Sequence, residues 1–483
     1  MQNRFLGSWT ALYDRFTMTA ICDLPAAELA ARFSRGELSP VDLARACLER
    51  IDAAEAKLNA MYRLDREGAL AAARAAEARW QRKAPLSPLD GVAVTIKENL
   101  YTRGDPSPIG TRANDDAPAQ SVDAPPAARL REAGCVILGK TTMPDFGMLS
   151  SGLSSLHGVT RNPWRLDRNT SGSSSGAGAA GAAGYAPLHL GTDIGGSIRL
   201  PATHCGLFGL KPSLGRVPVY PPYIGRVTGP MTRDVAASAM LMNALSKPDA
   251  RDFMSLPYDA SDYAADLERI DLKALRIGYL AEMNFGLPVH AEVAAAARGA
   301  ANALDAAGAK VEAMKPFLAP ELLQGMEHFF EARSYQDFVQ LSPEKQAKVL
   351  PFVAEWCTWR AKNFTGRDVM AAYHCYVALR EATTRATVPY DFVVSPTSPI
   401  LPYAAELPSP NDDPHNALPH IAFTVPYNMS EQPAASLNWT HSADGLPIGI
   451  QVIGRRFDDR GVLRLARALE QMRPAQRAWP QPA

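Results

Sequence analysis

The sequence predicts an α/β protein: a single large layered α/β/α domain around a central mixed, mostly parallel sheet. Three observations carry this. Short β-branched runs alternate with longer helical stretches, the pattern of a layered α/β domain. The chain has 483 residues, enough for a large buried core. No internal repeat breaks the alternation into a solenoid.

The elements follow in order. The first 17 residues are expected to be a loose tail, with the patterned domain running over 18–483. Residues 24–80 read as helices. Ser39-Pro40 is a helix-start signal, followed by Leu43, Ala46, Cys47 and Ile51 at helical spacing. Val92–Lys97 is β-branched and alternating, which predicts a strand with Lys97 at its C-terminal end. A helix is expected around Ala124–Glu132, ended by Gly134, then a short buried strand over Cys135–Leu138. Tyr185–Leu190 is strand-like and runs into Gly191-Thr-Asp-Ile-Gly-Gly-Ser197, with a helix to follow. Residues 246–275 read as a surface connection. Strands are expected at Arg276–Leu280, Lys310–Ala313 and Tyr390–Ser395, and helices over 291–307 and most of 320–385.

Composition excludes several classes. Lys plus Arg number 50 and Asp plus Glu number 50, so no net field points to nucleic acid or an anionic membrane. No stretch reaches the roughly 18 unbroken apolar residues of a membrane span, and the N-terminus lacks a signal-peptide core. The six cysteines (Cys22, Cys47, Cys135, Cys205, Cys357 and Cys375) show no CxxC pair, which fits reduced thiols in a cytoplasmic protein and no metal site.

Four motif matches lack their physical context. Gly134–Thr141 spells a phosphate-binding loop, but its middle is apolar and strand-like and the helix comes before it. Gly176–Gly181 spells a dinucleotide fingerprint without a preceding strand, and reads as a closely packed helix. Gly172–Gly176 spells a nucleophile elbow that no strand enters. Ser342-Pro-Glu-Lys345 sits at a charged helix start, where Ser342 reads as a cap.

Acyl transfer needs a nucleophile, a base and donors for an oxyanion. Two glycines before Ser197 let successive N–H groups converge, so the N–H groups of Ile194, Gly195, Gly196 and Ser197 are candidate oxyanion donors. For the base, His189 and His204 lie near Ser197 in sequence. Lys97 is more suggestive, because desolvation at the end of an apolar strand leaves a neutral amine. Taken by its strand context alone, however, Lys97 reads more readily as a surface lysine.

Several blocks in order change that weighing. Leu89–Asn99, Val136–Phe146, Asn162-Pro-Trp164 with Ser171–Gly176, Gly191–Ala202, Gly209–Pro212 and Gly445–Gly454 resemble the amidase signature family, with similarity from about Leu24 to Glu470. The resemblance implies a Ser–cis-Ser–Lys triad. It places the nucleophile on Ser197, the base on Lys97 and the bridge on Ser173, with Ser174 as the rival in a run of three serines. Asp193 and Arg199 match positions that brace the nucleophile loop. Glu431 stands where the family usually has Gly.

The implied activity is hydrolysis of a small-molecule amide with no cofactor, and substrate-facing segments are expected at Tyr101–Arg112, Met148–Leu156 and 320–385. Homodimers are common among such relatives, though no feature of the sequence shows one. The alternatives are the glutamine-amidase subunit of a tRNA-dependent amidotransferase, a non-catalytic binding protein on the same fold, and a His-dependent serine esterase.

Overall fold

The computed structural model describes residues 21–481. The expected tail, residues 1–17, lies outside the described residues. The sheet has eleven strands. In chain order they are β1 (Met61–Leu64), β2 (Ala93–Lys97), β3 (Val136–Thr141), β4 (Leu188–Asp193), β5 (Phe208–Lys211), β6 (Val227–Thr232), β7 (Arg276–Tyr279), β8 (Lys310–Ala313), β9 (Phe392–Pro396), β10 (Ala434–His441) and β11 (Pro447–Gly454). Their order across the sheet is β1-β3-β2-β4-β6-β5-β10-β11-β9-β7-β8.

The sheet is mixed, as expected. Parallel character is concentrated in two flanks, β3-β2-β4 and β9-β7-β8. Between them, β4-β6-β5-β10-β11-β9 pair antiparallel, and β1 adds an antiparallel edge to β3. In the flanks the chain crosses over through helices, which parallel pairing requires; in the centre only β5–β6 and β10–β11 are consecutive antiparallel neighbours, and the other pairs join distant parts of the chain. Every residue of β2, β4 and β9 is buried, as in strands covered on both faces.

The helices form for local reasons that the sequence shows. Helix α1 (Ala26–Arg35) ends on Gly36 in the left-handed region. Helix α2 (Pro40–Leu58) starts with Pro40 in its first turn and with Ser39 Oγ accepting from the Val41 N–H at 3.0 Å. The short strand β1, between α2 and α3 (Arg66–Gln81), corrects the all-helical reading of 24–80. Its four residues are too few to carry a period of their own.

Helix α4 (Pro125–Glu132) leads into β3, where Lys140 is buried, so the phosphate-loop match is a core strand. Helix α5 (Ser175–Ala183) is buried along its whole length. A Cβ on Gly176 would lie 2.3 Å from the Ala60 carbonyl oxygen, so the glycine is what lets this helix press onto the backbone beside β1. The dinucleotide match is thus a packing helix. Ser342 caps as expected, accepting from the Lys345 N–H at 3.4 Å.

Helices α6 (Arg199–Cys205), α7 (Val235–Leu245) and α8 (Ala291–Ala306) pack onto the sheet. Helices α9 (Pro320–Val339), α10 (Pro351–Thr358) and α11 (Gly366–Thr387) pack on one another. A second apolar cluster, containing Met326, Phe330, Trp356, Tyr376 and Ile421, joins this helical group to Val393 and Ile453 of the sheet. A short helix α12 (Val425–Met429) precedes β10, and the terminal α13 (Asp459–Met472) follows β11.

Candidate active site

β2 and β4 are parallel neighbours, with Ile96 opposite Leu190. Their C-terminal ends therefore leave the sheet on the same side, where ligands bind in open α/β sheets. Lys97 is the last residue of β2, and the loop holding Ser197 follows β4 directly.

Lys97 is fully buried, not a surface lysine. Its Nζ donates to Ser173 Oγ at 2.8 Å and to Thr192 Oγ1 at 3.0 Å. Burial pushes its pKa down to about 7; Asp193 and Glu98 work against this and Arg226 works with it. Asn99 Nδ2 donates to the same Thr192 hydroxyl at 3.1 Å, fixing the oxygen that Lys97 reaches.

The Gly172–Ser173 peptide bond is cis. Ser173 and Ser174 differ sharply in their partners. Ser173 meets the amine, whereas Ser174 Oγ donates to the Thr192 carbonyl and accepts from the Thr192 N–H, both at 3.2 Å. The Ser174 N–H also donates to the Ser197 carbonyl at 3.2 Å, which holds the serine-rich loop against the Ser197 loop.

Asp193 and Arg199 brace that loop from within. Both are fully buried. Arg199 donates Nε to Asp193 Oδ2 and Nη2 to Oδ1, each at 3.0 Å. Its remaining donors reach the Thr424 carbonyl at 2.9 Å, Gln451 Oε1 at 2.7 Å and Asn428 Oδ1 at 2.5 Å. Burial alone would raise the Asp193 carboxyl, but the Arg199 charge and hydrogen bonds overcome it and hold the group well below the usual carboxylate range.

One of the four candidate oxyanion donors is corrected. The Gly196 N–H donates to Asp193 Oδ1 at 2.8 Å, so it braces the turn instead of facing a ligand. Gly196 has φ +133°, and a Cβ there would lie 2.5 Å from Thr424 Oγ1, so only glycine fits. That conformation aims its N–H back at Asp193. The N–H groups of Ile194, Gly195 and Ser197 make no such bond among the described residues.

Ser197 is partly exposed and opens onto a cleft lined by Ile194, Gly195, Met148, Phe330, Arg333 and Trp356. The expected segments Met148–Leu156 and 320–385 thus contribute to it. Tyr101–Arg112 contributes no residue to this cleft.

The histidine alternatives have other partners. His189 bonds Thr95 Oγ1 at 2.7 Å and the Ala186 carbonyl at 2.9 Å; His204 Nε2 lies 3.4 Å from Ser398 Oγ. Burial lowers their pKa values to about 3 and about 4. Glu431 keeps φ +65° and pairs with Arg380 at 2.7 Å and with Arg456, and it does not line the Ser197 cleft. The residues that sequence reasoning missed are Thr192, Thr424, Asn428 and Gln451. Asn428 and Gln451 lie in resembling segments, but their meeting with Arg199 is a product of the fold.

The family model for amidases matches residues 42–463. The chain belongs to the amidase family. Among solved structures, this amidase-family chain is similar to a bacterial aryl acylamidase of the amidase signature enzymes. That match has a TM-score of 0.85 and 27% identity, covering 94% of this chain and 96% of the other. A 6-aminohexanoate cyclic dimer hydrolase also matches with TM-score 0.85 and 28% identity, covering 95% and 99%. Among curated proteins, a glutamyl-tRNA(Gln) amidotransferase subunit from Myxococcus xanthus is 35% identical over 477 residues, 93% of this chain and 97% of its own. These likenesses support an amide-hydrolysing enzyme. No helix among the described residues is long and apolar enough to cross a membrane.

Proposed function

We propose that this chain hydrolyses a carboxamide C–N bond through an acyl-enzyme on Ser197, with Lys97 as base and Ser173 as the bridge between them. The observation that carries the reading is the buried Lys97 amine, 2.8 Å from Ser173 Oγ and with its ammonium form destabilised. A neutral amine is the form that takes a proton.

In the proposed sequence, Ser197 Oγ bonds to the amide carbonyl carbon as its proton passes to Ser173, whose own proton passes to Lys97. The oxyanion is met by the N–H groups of Ile194, Gly195 and Ser197. Each such donor is worth about 3 kcal/mol in transition-state stabilisation. Lys97 then returns a proton through Ser173 to the substrate nitrogen, the C–N bond breaks and a neutral amine leaves. Water, deprotonated by the same relay, attacks the ester, and Ser197 is regenerated with release of the acid. Asp193 and Arg199 act on this chemistry by shaping the turn.

The test is hydrolysis of aryl amides, alkyl amides, cyclic amides and glutamine by wild type, Ser197→Ala and Lys97→Ala. Loss of activity in both variants supports the reading; activity that survives Ser197→Ala sinks it. A second reading is favoured by the curated relatives: a glutamine-amidase subunit that works with partner chains. Release of ammonia from glutamine in preference to the other amides would select it.

A further inference from the structure

We propose that Arg333 binds a carboxylate on the substrate, so that the cleft takes amides of small dicarboxylic acids in preference to neutral amides. The proposal rests on the acyl-enzyme reading above, since it concerns the same cleft.

Arg333 lies on α9 and lines the cleft onto which Ser197 opens. Its Nε is buried with no hydrogen-bond partner. Among the described residues its guanidinium makes no ion pair and no hydrogen bond to a protein group. The Nε atoms of Arg129, Arg460 and Arg464 are likewise buried without a partner, so what sets Arg333 apart is its place beside Ser197 in the cleft. Two acids on the same helix are turned to another arginine. Glu331, on the same helix, takes both arms of Arg360 at 2.7 and 2.8 Å, and Glu327 lies 3.5 Å from Arg360. Asp337, one turn beyond Arg333, is exposed and forms no ion pair among the described residues.

A second guanidinium sharpens the case. Arg226 also lacks an ion pair among the described residues, and it shares an aromatic partner with Arg333. The Tyr223 ring centroid is 5.0 Å from Arg333 Cζ and 5.3 Å from Arg226 Cζ. Burial, then the Arg333 charge, brings Arg226 down to about 10. Asp337 acts on Arg226 at longer range but forms no ion pair with either guanidinium among the described residues, so two cations around one ring favour an incoming anion. The ring contact orients the Arg333 plane. A planar guanidinium matches a carboxylate through two parallel hydrogen bonds, which a neutral amide cannot accept with the same strength. Phe330 and Trp356 supply an apolar wall for a short methylene spacer between carboxylate and amide.

The test is calorimetric binding of succinamate and glutaramate, each against its neutral diamide, to the Ser197→Ala protein, which isolates binding from turnover. The anionic member of each pair is expected to bind at least tenfold tighter. Arg333→Gln should cut that preference at least tenfold, and Arg333→Lys should restore part of it. In the otherwise native enzyme the same preference should appear mainly in KM. Equal or undetectable binding of both members, or a preference unchanged in Arg333→Gln, overturns the proposal. Hydrolysis that persists in Ser197→Ala overturns the acyl-enzyme reading instead, and leaves the binding result to stand alone.

Discussion

The Nζ of Lys97 and the Oγ of Ser173 sit 2.8 Å apart, joining the end of β2 to a loop 76 residues further along the chain. The contact sets an expectation for pH dependence. Burial holds Lys97 at about 7, so the ammonium predominates below that pH and the neutral amine above it. With the amine as base, kcat/KM should climb about tenfold per pH unit below about pH 7 and level off by about pH 8. A pH–rate profile on a slow amide, where chemistry limits turnover, checks this. A flat profile between about pH 6 and 9 would remove Lys97 from the role of base.

The neighbouring serines should separate activity from stability. Ser173→Ala removes one of the two hydroxyls bonded to Lys97 Nζ, the other being that of Thr192. It should lower kcat by about 100- to 10,000-fold with little change in the unfolding midpoint. Ser174→Ala removes two bonds to the Thr192 backbone in a fully buried setting. It should cost about 1–3 kcal/mol of stability and retain far more activity than Ser173→Ala. Urea unfolding and turnover of both variants decide it; the reverse pattern would move the bridge to Ser174.

The legibility of this chain follows from where the information lies. Strands β7, β8 and β9 are readable because each is a short run holding β-branched or apolar residues, set off by neighbouring helices or polar turns. Strand β1 is not, since four residues between two helices carry no period. Nor does local pattern assign β5, β6 and β10. β6 contains Gly229 and Pro230, residues that argue against a strand by propensity and are tolerated here by tertiary packing. At the site, Lys97, Ser173, Ser197, Asp193 and Arg199 are legible as motif residues. What no local pattern can show is which hydroxyl the amine reaches, or that the Gly196 N–H turns to Asp193. Both depend on contacts among β2, β4 and the serine-rich loop.

The Asp193–Arg199 pair should dominate acid stability near the site. The Asp193 carboxyl is held far below its ordinary 3.8. Its contribution is therefore fully present above pH 3.8 and lost only as the pH falls through the depressed value. Arg199→Met leaves a buried carboxylate without its counter-ion, which should cost about 3–5 kcal/mol at neutral pH. Denaturant unfolding at about pH 7 measures the loss. The Arg199→Met protein should also regain part of the deficit as the pH approaches about 4, because protonating an uncompensated Asp193 relieves it. A deficit that is constant between about pH 7 and 4 would show that the pair acts through shape and not charge.

Glu431 offers a test at a position with an unusual residue. Its φ of +65° lies in the region that favours glycine, and strain of this kind costs about 1 kcal/mol. Against that, its carboxylate is paired with Arg380 and Arg456, both partly exposed, and such pairs contribute up to about 1 kcal/mol each. The two effects nearly cancel, so Glu431→Gly should change stability by no more than about 1 kcal/mol. Because the cleft at Ser197 contains no part of this cluster, kcat and KM should stay within about twofold of wild type. Glu431→Ala separates the contributions, since it removes the carboxylate and keeps the strained backbone, and it should be the less stable of the two variants. Steady-state kinetics and unfolding curves on both proteins check the argument. A large change in KM for Glu431→Gly would instead couple this ion-pair cluster to substrate binding, through α11, which carries Arg380, or through the β11–α13 turn, which carries Arg456.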